Sequence, residues 1–505
     1  MTGNDDRADI VLILEGTYPF VMGGVSSWVH QLVSEMPDLT FGIVHIAPRA
    51  GCYEAPAYEM PDNVVFVEEC GLMPPRRAPS AARVRRYRDR LAAAWQELLQ
   101  LREADPSVLP QIAMQFEELA ADGLRAEDFA AGPAFWDALI SCYEAEAAEQ
   151  SFINFFWTWS FAWQPLIELF FQRVPRAGMY HTVSTGYAGL LAALASSRWQ
   201  RPMILTEHGI YTKERRIEIY SANWIHDGAS DEYVVDSKAP YFRQFWNHHF
   251  EVMSRCCYEQ ATRIFTLYGQ NRDAQVADGA NPEKIEIIPN GVNVEALTKA
   301  LAEAPPRAAD APFTVAFIGR VTPIKDVRTV LAAMRLVARD VPNLVVRILG
   351  PMNEDKEYAE RCQVFCRELG LEETVRFEGA VDVRRELPQV DLVLLTSISE
   401  AQPLVILEAG AVGVPVVATD VGSCRELLEG RTTADQALGT GGMLTSIASP
   451  GEVARCVCAL YEDPDLRKRM GRSLQQRVLQ FYDEHDMVDA YRGVYRDCLG
   501  PVEVS

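Results

Sequence analysis

The chain has 505 residues, 48% of them hydrophobic and 23% charged, and a net charge of −22. Its length gives room for two or three cores, and its composition excludes wholesale disorder. Its acidity argues against nucleic acid and acidic membrane surfaces as partners, so an anionic ligand must be held by a few local cations.

The N-terminal MTGNDDRADIVLILEG lacks a basic n-region, and its apolar run is too short for a leader. It reads as a strand (8–16) at the start of a cytoplasmic chain. A loop with Gly23 and Gly24 follows, then a helix from VSSWVHQLVSEM and strands at 41–48 and 63–69. Residues 74–150, rich in Ala, Glu, Arg and Leu, break the alternation and read as a helical insertion or lid. The insertion opens with the basic run PPRRAPSAARVRRYRDR, which is either a solvated helix face or a contact surface. FINFFWTWSFAWQPLIELFF (152–171) is long enough to span a membrane. Asn154, Gln164, Pro165 and Glu168 interrupt it, so a buried aromatic helix is expected.

The alternation resumes with strands at 177–184, 201–209 and 263–269 and a short one at 284–292. The Ala- and Pro-rich stretch 299–313 reads as an interdomain linker. A second series follows, with strands at 314–321, 343–350, 374–379, 391–397 and 414–420. Strands alternating with helices predict parallel sheets. The expectation is an α/β protein with two Rossmann-like domains facing a cleft. Its domains are 1–298 (with the helical insertion at about 74–175), the linker 299–313, 314–475, and C-terminal helices 476–505 crossing back to the first domain. The eleven cysteines are irregularly spaced without paired CxxC, and read as small buried hydrophobes in a reducing compartment.

In GRVTPIK, Arg320 follows a strand and Lys325 stands where a helix is expected to begin. Two cations beside backbone N–H donors suit a diphosphate, although a basic pair after a strand is more often solvated. Glu400 and Glu408 flank AQPLVIL, with Pro403 suited to open a helix at its first turn. Both carboxylates could then accept hydroxyls of one ligand, with the N–H groups of Leu404 and Val405 facing it. Two glutamates eight apart could equally be surface charges.

Taken together, Arg320 with Lys325, and Glu400 with Glu408 before GVPVVATDVG, resemble the signature of retaining GT-B glycosyltransferases of family four. LEGTYPFVMGGVSSWVHQL, TEHGIYTKER and GRVTPIKDV are similar to the PelF-like subgroup, cytoplasmic transferases of Pel exopolysaccharide synthesis. The resemblance implies a UDP-sugar donor, a glycan acceptor and an inner-membrane synthesis and export complex as partners. It implies no metal and no cofactor beyond the UDP-sugar co-substrate. Arg320 and Lys325 would neutralise the leaving diphosphate, Glu408 would hold the ribose, and Glu400 would contact the donor sugar. Gly23 and Gly24 would let the backbone approach the ligand, His208 would line the sugar pocket, and Glu207 and Gln402 would contribute to binding. Ala401-Gln402-Pro403 departs from the Gly-Phe-Gly of many members, and Pro403 removes one donor. Two other readings stay open: a non-catalytic nucleotide-sugar-binding subunit, and a dinucleotide oxidoreductase. The second needs GxGxxG after the first strand, and EGTYPFVMGGVSS lacks that spacing.

Overall fold

The computed structural model describes residues 6–53, 55–74, 77–102, 105–222, 241–308 and 310–500. The chain divides into two units. One comprises 1–266, 272–286 and 492–505; the other comprises 267–271 and 287–491.

The first unit is built on a seven-stranded sheet in the order β3-β2-β1-β4-β5-β6-β7. Its strands are β1 (Ile10–Glu15), β2 (Phe41–Ala47), β3 (Val64–Gly71), β4 (Met179–Thr182), β5 (Met203–Glu207), β6 (Arg263–Thr266) and β7 (Ile285–Ile287). The ladders joining β3 through β6 are parallel. The chain order reverses direction between β1 and β4, and a ligand crevice is expected outside the strand carboxyl ends there. β1, β2, β4 and β5 are buried almost throughout, which is why they read as apolar runs without alternation.

The insertion consists of helices from Ala81 to Phe171 and shares one apolar core with this sheet. Trp95, Phe116 and Trp159 belong to the same cluster as Val11 and Ile13. Trp95 stacks on Phe129 at 4.7 Å and on Trp159 at 5.1 Å, and its indole N–H donates to the Phe129 carbonyl at 3.2 Å. The aromatic segment forms one helix, Phe152–Phe171, with Ser151 as its N-cap. It is not fully buried as the sequence suggested: Phe152, Ile153, Trp157 and Phe161 stay exposed along one side. Among the described residues no helix is long and apolar enough to cross a membrane. The basic run lies partly outside the described residues, at 75 and 76. Of the rest, Arg83 pairs with buried Asp128, and Arg90 with Asp122 and Glu118.

The second unit has a six-stranded sheet in the order β10-β9-β8-β11-β12-β13, with parallel ladders. Its strands are β8 (Phe313–Ile318), β9 (Leu344–Leu349), β10 (Val375–Gly379), β11 (Leu392–Leu395), β12 (Val416–Thr419) and β13 (Gly442–Thr445). The reversal falls between β8 and β11, whose register pairs Leu392 with Val315 and Leu394 with Phe317. The loops carrying Arg320 and Glu400 therefore leave neighbouring strands at the same end. The stretch expected to be a linker from 299 starts inside the helix Val294–Glu303. All eleven cysteines are free thiols, and seven of them are buried.

Candidate active site

In the second unit, Gly319 ends β8 and the chain turns through Arg320 into a short 3-10 turn, Pro323–Lys325. That turn is fastened to the loop after β11. The Ile398 N–H donates to the Ile324 carbonyl at 2.8 Å, and the Thr396 hydroxyl donates to the carbonyls of Lys325 and Asp326, both at 3.0 Å. Lys325 is thereby aimed at Glu400, with 2.5 Å between Nζ and Oε1 and both side chains mostly buried. Arg320 is more exposed, and its Nη1 donates to both carboxylate oxygens of Glu354, at 2.5 and 2.7 Å. Each of the two predicted cations thus carries a carboxylate partner.

The helix expected to begin at Lys325 starts at Val327, with its first turn capped. Asp326 sits in the left-handed region (φ 47°), and its carboxylate accepts from the Thr329 N–H at 3.2 Å, capping the helix Val327–Val337. The available N-terminus belongs instead to the helix Leu404–Ala411, which has no side-chain cap. Pro403 is its N-cap, one residue earlier than predicted, so Leu404 and Val405 supply the first two N–H groups. Glu408 lies one turn further on. It is half-buried, burial raises its pKa, and among the described residues its carboxylate has no hydrogen bond or ion pair. A carboxylate desolvated without a partner is costly unless a ligand supplies donors.

Gly422 fixes the Glu400 loop from behind. Its φ is +55°, and a Cβ there would come within 2.2 Å of the Glu400 carbonyl oxygen and 2.5 Å of that of Ala401. The Ser423 N–H donates to the Ala401 carbonyl at 2.9 Å. The sequence reading missed both residues, although VATDVGS follows a strand as a loop glycine should.

In the first unit, Gly23 and Gly24 begin the helix Gly24–Ser34, which also lacks a side-chain cap. A Cβ at either would meet nothing within 4 Å, so nothing in the described chain requires glycine there. The next turn of that helix brings Trp28 edge-on to His208, with centroids 4.8 Å apart and planes at 77°. Burial lowers the His208 pKa to about 4, so the imidazole is neutral at pH 7.

Two predicted ligand residues have internal partners instead. Glu207 is wholly buried: Tyr258 Oη donates to it at 2.8 Å, Gln275 Nε2 at 2.9 Å, the Tyr211 N–H at 3.1 Å and Thr185 Oγ1 at 3.3 Å. Gln402 is buried too, its Oε1 accepting from the Asn290 N–H at 2.8 Å and its Nε2 donating to the Asn290 carbonyl at 3.3 Å. The fold thus fills the acceptor positions of the Glu207 carboxylate and fastens Gln402 to Asn290.

Two cations, two carboxylates and an uncapped helix N-terminus thus stand on loops and a helix start beside the β8/β11 reversal, in a chain of two parallel α/β sheets of GT-B type. The family described as "Glycosyl transferases group 1" matches residues 312–463. The chain belongs to the family described as "Domain of unknown function (DUF3492)", whose match covers residues 8–283. Among curated proteins it is similar to a D-inositol 3-phosphate glycosyltransferase of Kribbella flavida, with 28% identity over 61% of this chain and 70% of that one. The enzyme of the same name from Nocardia farcinica is 30% identical over 58% of this chain and 61% of its own. Among solved structures, Anabaena HepE in complex with UDP superposes with a TM-score of 0.58 at 15% identity, covering 97% of this chain and 100% of that one. Sucrose-phosphate synthase of Thermosynechococcus elongatus superposes with a TM-score of 0.57 at 15% identity, covering 97% and 98%. At such identities the superpositions speak for the fold.

Proposed function

We propose that the chain is a retaining, metal-independent hexosyltransferase. It moves a hexosyl or N-acetylhexosaminyl unit from a UDP-sugar onto a growing exopolysaccharide of Pel type, at an inner-membrane synthesis and export complex. The observation that carries the donor assignment is the partnerless, half-buried carboxylate of Glu408, one turn into the helix that follows Glu400, taken with the Lys325–Glu400 pair. A nucleoside diphosphate sugar offers ribose hydroxyls to the first and phosphate to the second. UDP in the HepE complexes supports the choice of nucleotide.

On this reading Lys325 and Arg320 exchange their carboxylate partners for phosphate oxygens, and the N–H groups of Leu404 and Val405 add donors. Glu400, released from Lys325, turns to the donor sugar. The bond between the anomeric carbon and the diphosphate oxygen breaks as an acceptor hydroxyl attacks the same face. The hydroxyl proton passes to the departing phosphate oxygen, so no protein nucleophile is required. Gly23, Gly24 and neutral His208 would add contacts to a sugar. Calorimetric titration of UDP, GDP and NAD in EDTA tests the assignment. UDP should bind the wild type and fail to bind Arg320→Ala/Lys325→Ala. Equal binding to both proteins, or dependence on a divalent cation, overturns it.

A further inference from the structure

The helical insertion of the first unit holds a cavity of about 370 Å³ that shares no residue with the donor-binding set. Trp136, Phe156, Trp157, Gln164 and Glu168 are among the residues that line it, and the last four come from the helix Phe152–Phe171. Trp136 and Phe156 stack with planes 16° apart and centroids 5.6 Å apart, while Trp157 meets Phe156 edge-on at 5.1 Å. Trp136 and Trp157 nevertheless remain 44% and 47% exposed. Indoles left this open in water yet locked by neighbouring rings lose little freedom when a ligand covers them.

Glu168 lies half-buried in the lining, with Glu127 beside it. Burial, and then the charge of Glu127, raise the Glu168 pKa to about 7. Among the described residues neither carboxyl has a hydrogen bond or ion pair. The cavity therefore combines flat apolar faces with carboxyl groups lacking partners.

We infer that this cavity is a saccharide site that holds one or two hexose units of the glycan acceptor. A pyranose carries a patch of C–H groups on its face and hydroxyls around its rim. The face suits Trp136 and Trp157, and the rim suits the carboxyls of Glu127 and Glu168. A wholly apolar ligand would cover those carboxyls without satisfying them; Arg77 is the one cation among the described lining residues against two carboxyls, so the balance of charge disfavours a phosphate. The volume falls within the roughly 300–1,000 Å³ typical of small-ligand pockets. The choice of a saccharide rests on the transferase reading above. The cavity would hold acceptor chain on the insertion, so that successive transfers could proceed on one tethered chain.

The test is calorimetric titration of the full chain with two probes, β1,4-linked N-acetylglucosamine tetrasaccharide and maltotetraose, alongside a separate UDP titration. The variants are Trp136→Ala/Trp157→Ala, at exposed positions, and Glu168→Gln, which preserves shape. Saturable binding of at least one tetrasaccharide is expected, weakened on the order of tenfold or more by the double variant and less by Glu168→Gln, with UDP affinity unchanged. Absence of saturable binding by both probes, or equal binding to the double variant, overturns the proposal. If UDP binds while neither saccharide does, only the saccharide site fails; if UDP does not bind, the donor reading fails.

Discussion

Because Lys325 is already paired, removing it and removing its partner should move nucleotide affinity in opposite directions. Lys325→Ala deletes a charge-assisted donor to phosphate, a contact worth about 1.5–3 kcal/mol. At about 1.4 kcal/mol per tenfold, UDP should bind roughly ten- to 150-fold more weakly. Glu400→Gln leaves Lys325 in place but removes its anionic competitor. The pair is 19% and 11% exposed at its two side chains, between a surface pair worth little and a buried one. Freeing the ammonium should therefore tighten UDP by up to about 1 kcal/mol, roughly fivefold, while glycosyl transfer falls because the donor-sugar contact is lost. Calorimetry with UDP and a coupled transfer assay on the same preparations read both effects, and thermal melting confirms that each variant is folded. If Glu400→Gln weakens UDP as much as Lys325→Ala does, Glu400 is a nucleotide ligand or a structural strut, and the partner-exchange reasoning is wrong.

Gly24→Ala places a better helix former at the first helical position with open space around it, so melting should rise by about 1–3 °C. Transfer should nonetheless fall on the order of tenfold or more, because the added methyl stands where the ligand must approach; unchanged activity would remove Gly24 from the site. Gly422→Ala forces a Cβ against the Glu400 and Ala401 carbonyls, and should cost about 1–3 kcal/mol of stability together with most of the transfer rate. Full activity in that variant would show that the Glu400 loop tolerates displacement. His249 is buried among aromatic rings, and burial, followed by the charges of Arg102 and His248, depresses its pKa to about 3. The unfolded chain takes up this proton below about pH 6.5 and the folded chain does not, so stability is present above 6.5 and lost as pH falls. At pH 5 that loss is about 2 kcal/mol, and His249→Phe should recover it there but not at pH 8, as measured by urea unfolding at the two pH values.

The strands were the most legible part of the fold, for a specific reason. β1, β2, β8, β11 and β12 are buried on both faces, and a strand covered on both faces must be a short continuous apolar run. β13 escaped because Gly442–Thr445 opens on a glycine and is only partly buried, so it makes no continuous apolar run. The aromatic helix was harder, since periodicity counts apolar residues and cannot say which will be covered. Phe155 and Trp159 are sealed by the insertion's other helices, and Trp157 and Phe161 are not.

The same limit explains which site residues the sequence could assign. Arg320, Lys325, Glu400 and Glu408 stand at strand ends and a helix start, and the topology alone brings strand ends together. Glu207 and Gln402 stand at equally suggestive positions, yet Tyr258, Gln275 and Asn290 reach them from 51, 68 and 112 residues away. No local pattern announces a partner at that distance. Glu207, wholly buried, and Glu408, half-buried, also differ in whether the fold itself supplies hydrogen-bond donors. Glu207 has four and Glu408 has none among the described residues, so only Glu408 leaves its carboxylate to be satisfied by a ligand.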